Sequence, residues 1–342
     1  MATDGEAAPP ARRHATIVDV ARVANVAPST ASRALQESPR ISDATKRRVR
    51  AAARSLGYQP NRIAQSLRLR SANFVGIVVP DIGVDFYSRF VKGAQDVLQQ
   101  AGRQVLVLNT EREAARETVA VRTLLEHRVS GILLATSAGS TPQPRIPTVF
   151  FDNLAAGRGV AHVACANRDG IAILVEHLAG HGHRRIAYIG GPPIVTSGTE
   201  RLDGFRQAVR RLGLAECDCA IELADSVWSA QSAAEATARL LARAERPTAL
   251  VTSGDTLALG AMSACRAAGL RLPDDMALVS FDDPAFGDLL DPPVTALARS
   301  DAAMGKLAAS LLLHALDTGT LGPPTEVRLP VELVVRRSCG CP

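Results

Sequence analysis

From residue 74 onward the chain repeats one pattern, an unbroken apolar run of strand length followed by a stretch with helical spacing. The runs are 74–80 (FVGIVVP), 105–108 (VLVL), 131–134 (GILL) and 148–151 (TVFF), then 186–190 (IAYIG), 249–251 (ALV) and 277–281 (ALVSF). A strand apolar on both sides must be covered on both faces, as parallel strands between helices are. Two successive sets predict two doubly wound lobes. The expected fold class is therefore α/β, a two-lobed parallel-sheet core. In open sheets of this kind ligands bind beyond the carboxyl ends of the strands, so the residues that follow each run are the candidates for a site.

Polar residues stand there. Asp81 follows the first run with Phe86 and Tyr87 close behind, Asp152 follows Phe151, Asp255 follows the Val251 run and Asp282 follows Phe281. Arg201 opens a helical stretch after the Gly190 run. Carboxylates, one Arg fork and flat rings suit a polyhydroxylated ligand, because charged groups pair with hydroxyls while rings cover apolar sugar faces. For any single Asp a helix cap is the commoner role, and Asp255, just before a helix, fits either reading.

A chain of 342 residues, 46% hydrophobic and 21% charged, fits two or three globular domains. No run approaches the ~20 apolar residues of a membrane helix, so no membrane association is expected. The first dozen residues lack the basic start and apolar core of a secretory signal, and a cytoplasmic location is expected. Residues 1–13, rich in Ala and Pro, are expected to be a disordered tail. Six cysteines are too few and scattered for a disulfide framework. Cys217-Asp-Cys219 and Cys339-Gly-Cys341 have no further Cys or His at zinc-site spacing, which predicts a loop thiol and a frayed C-terminus. His177 and His181 share a helix face, but no Cys or carboxylate follows at a matching spacing, so with His183 they are expected to be structural. No metal and no cofactor are expected.

Charge is concentrated at one end. Residues 1–73 hold 13 Lys/Arg against 5 Asp/Glu, whereas residues 74–342 hold 26 against 29. A basic head on a mildly acidic body fits nucleic-acid binding through the head or a merely solvated face. The local signals decide between them. Residues 16–24 have helical apolar spacing with Thr16 placed to cap, and Asn25 stands where the chain must turn. Residues 26–35 read as a second short helix with Pro28 in its first turn, and Ser42 and Asp43 open a third that Gly57 ends. Helix, tight turn, helix, loop, helix is a helix-turn-helix layout, and small hydroxyls plus one Arg on the second helix suit base edges in the major groove.

Asp19-Val20-Ala21, then Val26 and Thr30-Ala31-Ser32-Arg33, then Val49, Ala53 and Leu56-Gly57-Tyr58-Gln59-Pro60-Asn61 together resemble the LacI (lac repressor/galactose repressor) family of bacterial transcription regulators. The similarity runs to about residue 338. It implies an all-α helix-turn-helix domain at 14–60, a hinge helix and linker at 61–73, and a periplasmic-binding-protein-like core at 74–338. The core divides into an N-lobe of about 74–168 plus 299–320 and a C-lobe of about 169–296 plus 321–338.

For DNA, the resemblance places Pro28, Ser29 and Arg33 at base-contacting positions and Thr30 and Ser32 at the phosphates or supporting the turn, with Thr16 also among the DNA-binding residues. Ala27 stands where the family usually has Ser. Asn61, Arg62, Ala64 and Leu67 fall in the hinge helix, which in the family enters the minor groove with a leucine wedge, here Leu67. An eight-residue helix is marginal alone in water, so it is expected to form on DNA beside its partner. Packing of Leu67 on the body is the plainer alternative.

For the effector, the resemblance singles out Arg201 and Asp282, then Asp152, Trp228, Phe86 and Tyr87. Trp228 is the only Trp. Gly254-Asp255 replaces the Asn-Asp of many members, and Cys165 stands where some sugar-binding members have an aromatic floor. The implied function is a sequence-specific DNA-binding regulator, a repressor, that binds a palindromic operator on double-stranded DNA as a homodimer under the control of a small molecule, a sugar or sugar derivative. The alternative is a solute-binding receptor with the same core, against which the basic head argues. No catalytic residues are expected, since neither a Gly-x-Gly-x-x-Gly nor a P-loop follows the first strand, and the prolines of Gly190-Gly191-Pro192-Pro193 supply no N–H to a phosphate.

Overall fold

The computed structural model describes residues 15–35, 37–58, 73–137, 144–153, 161–215, 218–223, 228–319 and 325–341. The chain forms two compact units, divided after Ala72.

In the first unit, α1 (Ile17–Val23), α2 (Pro28–Leu35) and α3 (Asp43–Ser55) follow one another closely. Thr16 and Asp19 make a reciprocal capping box at α1, with the Thr16 N–H donating to Asp19 Oδ2 at 2.9 Å. Asn25 takes the left-handed φ of 48° that the tight turn requires, and Gly57 does the same at 60° after α3. Val20, Ala21, Ala24, Ala31, Ala34, Val49, Ala52 and Ala53 form the core, small enough for the three helices to pack closely. Arg48 Nε donates to the Ala24 carbonyl at 2.9 Å and ties α3 to the turn.

The second unit holds two six-stranded sheets among its described residues. The first is built from β1 (Phe74–Val79), β2 (Gln104–Asn109), β3 (Gly131–Leu134), β4 (Thr148–Phe151), β5 (Ala161–Cys165) and β11 (Thr325–Leu329), in the order β2-β1-β3-β4-β5-β11, all parallel. The second is built from β6 (Ile186–Gly190), β7 (Ile221–Leu223), β8 (Ala249–Thr252), β9 (Ala277–Ser280), β10 (Thr295–Ala298) and β12 (Glu332–Val334), in the order β7-β6-β8-β9-β10-β12, with only β12 antiparallel. Both orders reverse direction after their first strand, at β1/β3 and at β6/β8, where doubly wound sheets open a crevice. Every predicted strand forms; the shorter or more polar β5, β7, β10, β11 and β12 carried no such signal.

The first sheet carries α4 (Asp85–Gln100), α5 (Ala114–Glu126) and α10 (Asp301–Thr318). The second carries α6 (Asn167–Gly180), α7 (Thr196–Arg211), α8 (Ala230–Leu241) and α9 (Asp255–Ala267). Glycines set the closest approach. A Cβ on Gly93 of α4 would stand 2.1 Å from the Ala302 carbonyl, and one on Gly305 of α10 would stand 2.1 Å from the Phe90 carbonyl. None of the described helices is long and apolar enough to cross a membrane.

One boundary differs from the expectation, which put 321–338 in the C-lobe: β11 pairs with β5 in the first sheet, for instance Val327 with Val163. Only β12 joins the second sheet, beside β10. The chain thus passes between the sheets near 166, at 299–300 and at 330–331. Edge pairing of a short, half-polar strand is set by what lies next to it in space, which periodicity does not report.

His162 of β5 is buried, and neither ring nitrogen has a hydrogen-bond partner among the described residues. Burial pushes its pKa down from 6.5 to about 4. The unfolded chain takes up this proton near pH 6.5 and the folded chain only near 4, so stability falls as pH drops through that window. The expected loss is on the order of 3 kcal/mol by pH 4. Urea unfolding of the full chain and of a His162→Leu variant across this range tests it; parallel curves for the two would refute the assignment.

Candidate functional site

The head presents a defined face. Along α2, Ala31 and Ala34 are buried, Thr30 and Ser32 are half-buried, and Pro28, Ser29 and Arg33 are exposed. The positions that point outward are those predicted to meet base edges. Thr16 is occupied as the α1 cap, so any phosphate contact there would be additional to its capping bonds. Asn61, Arg62, Ala64 and Leu67 lie outside the described residues, as do residues 1–13.

In the core unit the predicted strand-end residues converge. Phe86, Tyr87, Asp152, Arg201, Trp228, Asp255 and Asp282 all line one cavity between the two sheets. This hollow is about 70 Å³ and adjoins a second of about 300 Å³, with Phe86, Asp255, Asp282 and Arg299 lining both. The first alone is below the ~300–1,000 Å³ of small-molecule sites, so a ligand must extend into the second or spread the lobes.

Arg201 is 3% exposed and held from three sides. Its Nε donates to Asn167 Oδ1 at 2.9 Å and its Nη1 to the Ser253 carbonyl at 2.6 Å and to Asp282 Oδ2 at 3.4 Å. The guanidinium lies 3.8 Å over the Phe281 ring and 5.7 Å from the Trp228 ring. Burial opposes its charge, and the acidic groups around it, Asp282 foremost with Cys165 and Asp152 behind, together more than offset this and raise its pKa. Asp282 is also 3.2 Å from Arg299, yet its Oδ1 has no aligned hydrogen-bond donor among the described residues. Asp282 is therefore charge-paired but still able to accept a hydroxyl.

Asp152 adopts a left-handed φ of 62°, an uncommon conformation for a residue with a Cβ and one that recurs at functional sites. Its Oδ2 accepts from the Tyr87 hydroxyl at 2.9 Å and from Asn153 Nδ2 at 3.2 Å. Burial and the charge of Asp152 hold the Tyr87 phenol protonated well beyond its ordinary range. Asp255 is the first residue of α9, and its carboxylate accepts from its own neighbour Thr256 at 2.6 Å. It faces the cavity, where burial and the charge of Asp282 raise its pKa. Trp228 packs on Gly191 and Gly254, and a Cβ at Gly254 would meet its ring at 3.3 Å. The departure from Asn at that position thus makes room for the indole. Asp81 does not join the cavity lining, since it accepts from the N–H of Gly83 in its own loop at 3.0 Å.

Sequence reasoning missed Arg299. It sits on the second passage between the sheets, pairs with Asp301 at 2.8 Å and Asp282 at 3.2 Å, and covers Phe86 at 4.0 Å. Its place just after β10 obeys the strand-end rule, but Thr295–Ala298 (TALA) lacks the Val, Ile or Phe that marks the other strands of its length. Asn153 was missed too; its Oδ1 accepts from Ser197 N–H at 3.1 Å and Ser197 Oγ at 2.7 Å, joining the two lobes beside Asp152. The C-terminus is not frayed over its described residues. Ser338 and Cys339 are buried, and Cys341 Sγ stands 3.0 Å from His181 Nε2. Of the histidines, His183 instead meets Thr248 Oγ1 at 2.9 Å. Cys217 lies outside the described residues.

A helix-turn-helix head joined to a two-lobed α/β core with a polar cleft defines a ligand-responsive DNA-binding regulator. Comparison with known proteins agrees. Residues 16–61 match the bacterial regulatory proteins of the lacI family, and residues 175–339 match the periplasmic binding protein-like domain. The ribose operon repressor of Escherichia coli (strain K12) is 31% identical over 90% of this chain and 94% of its own length. The HTH-type transcriptional repressor CytR of the same strain is 29% identical over 95% and 96%. Among solved structures, the lac repressor dimer bound to operator and the anti-inducer ONPF superposes with a TM-score of 0.83 at 28% identity, covering 96% of this chain and 99% of that one. The transcriptional regulator CelR–cellobiose complex gives 0.71 at 29%, covering 95% and 99%. The chain belongs to the lacI family and is a DNA-binding transcription regulator. Its relatives are repressors and not enzymes, and nothing among them supports the receptor alternative.

Proposed function

We propose that two copies of this chain read a palindromic operator and that a sugar or sugar derivative held between the lobes sets their affinity for it. The convergence of Asp152, Arg201, Asp255 and Asp282 with Phe86, Tyr87 and Trp228 on one inter-sheet cavity carries the ligand half. Acceptors with spare capacity, such as Asp282 Oδ1, suit hydroxyl donors, while the rings cover C–H faces. The ribose operon repressor and the cellobiose complex among the relatives support the same ligand class.

Each protomer offers DNA the exposed face of α2, with Pro28, Ser29 and Arg33 at base edges and Thr16, Thr30 and Ser32 toward phosphates. Residues 14–60 then serve as the reading head and 61–73 as hinge helix and linker, Asn61, Arg62 and Ala64 lying along the minor groove and Leu67 wedging between base steps. Two-fold operators need a two-fold protein, and the lac repressor dimer on its operator supports this assembly. Regulation of this kind takes place in the cytoplasm. The Asn153–Ser197 contact spans the cleft and Arg299–Asp282 ties a passage between the lobes to the second sheet, so a ligand that replaces or reinforces them changes the lobe angle and, by linkage, DNA affinity.

Selection of bound duplexes from a random pool at fixed moderate salt tests both halves, since salt alone moves affinity strongly. Enrichment of one palindrome, altered by a pooled-sugar addition, is the expected result. No enrichment with or without sugars and other metabolites would overturn the operator reading.

A further inference from the structure

His177 and Cys341 belong to segments far apart in the chain, yet the fold brings them and two more donors to one place. Ligand atoms of His177, Cys339 and Cys341 all lie within 4.8 Å of one another. Cys341 Sγ is 3.7 Å from His177 Nε2 and 3.0 Å from His181 Nε2. The two imidazoles, one turn apart at the end of α6, have ring centroids 4.7 Å apart. We propose that His177, His181, Cys339 and Cys341 form a binding site for a borderline-soft divalent metal, zinc above all.

The donor set argues for the ion. Two thiols and two imidazoles without a carboxylate match tetrahedral zinc, and a His-x-x-x-His pair is a usual zinc spacing. Zinc–sulfur bonds of ~2.3 Å and zinc–nitrogen bonds of ~2.0–2.1 Å at a tetrahedral angle separate S and N by about 3.6 Å, which the 3.7 Å from Cys341 Sγ to His177 Nε2 matches, while the 3.0 Å to His181 Nε2 opens as that imidazole swings in as fourth ligand. Gly340, at a left-handed φ of 90°, turns the backbone between the cysteines. Both cysteines are free thiols. Thr295 Oγ1 lies 3.1 Å from Cys339 Sγ, an outer partner of the sort that orients a ligand. Exposed His181 and half-buried Cys341 leave an entry path, while Cys339 is buried behind them.

On binding, the ion takes the place of two thiol protons, which pass to solvent, and the two thiolates balance its charge. The metal would pin the segment just beyond β12 to the end of α6. That segment follows the last passage between the two sheets, so the ion anchors one strand of the hinge.

Cobalt titration of the reduced, metal-free full chain tests the site. Expected are one cobalt per protomer with the intense visible bands of tetrahedral thiolate coordination, their displacement by zinc, and a zinc-dependent rise in melting temperature. Cys341→Ser and His181→Ala should each weaken binding by about tenfold or more, whereas Cys265→Ser, remote in the second lobe's other core, should not. Absence of the thiolate bands, or bands of equal strength in Cys341→Ser, overturns the proposal.

Discussion

Arg201→Lys lowers effector affinity by about tenfold to a hundredfold while operator binding without effector persists. The positive charge stays beside Asp282, but the planar fork that holds Asn167 Oδ1 and the Ser253 carbonyl is lost, and a flexible ammonium does not reproduce it. Hydrogen bonds to charged groups are worth about 1.5–3 kcal/mol, which sets this range. Arg201→Ala is the harsher test. It abolishes the response and lowers unfolding free energy by about 1.5–3 kcal/mol, because Asn167 Oδ1 and the buried Ser253 carbonyl lose their charged donor while Asp282 keeps Arg299. Trp228, the only Trp, lines the same cavity, so its fluorescence reports binding directly. An unchanged titration in Arg201→Lys, with the fold intact, moves the effector site elsewhere.

Leu67→Ser weakens operator binding by about 2–4 kcal/mol, thirtyfold or more, and leaves effector affinity unchanged. A leucine wedge offsets the unstacking of a base step with apolar contact, and a serine cannot. On the reading proposed above, an eight-residue hinge helix is marginal without a partner, so its folding would be linked to DNA and the wedge felt only in the bound state. Fluorescence anisotropy on the selected palindrome at one salt concentration measures the loss. Equal affinity for the two proteins removes the wedge from the mechanism. The two variants also separate the halves of the proposed regulator, one losing ligand with DNA binding kept, the other the reverse.

Arg201→Ala also shows why the cleft is sensitive. Asp282 lies between Arg201 and Arg299, one on α7 and one on a passage between the sheets. A ligand hydroxyl at Asp282 Oδ1 would compete within this chain of charges, and small changes there are felt by both lobes.

Much of this was local and therefore readable in the residues. Thr16 and Asp19 form their box, Asn25 and Gly57 take left-handed turns, and Pro28 opens α2, because cap and turn chemistry act within four or five positions. The long apolar runs became β1, β3, β4, β6, β8 and β9, since a strand covered on both faces needs no particular partner to reveal itself. Four carboxylate and arginine positions of the cleft followed from the same rule, that crevices open beyond the carboxyl ends of parallel strands.

Other features arise only from the three-dimensional packing. β11 pairs with β5 across an interval of about 160 residues, Arg299 reaches Asp282 and Phe86 from a hinge strand, and Trp228 occupies the space that Gly191 and Gly254 leave open. The Cys339/Cys341 pair meets His177 and His181 from the far end of the chain. Each is a contact between segments whose separate patterns are unremarkable. Periodicity and caps report what a residue does with its near neighbours, whereas these contacts depend on how two twisted sheets stack and where the chain passes between them, which no short stretch of sequence encodes.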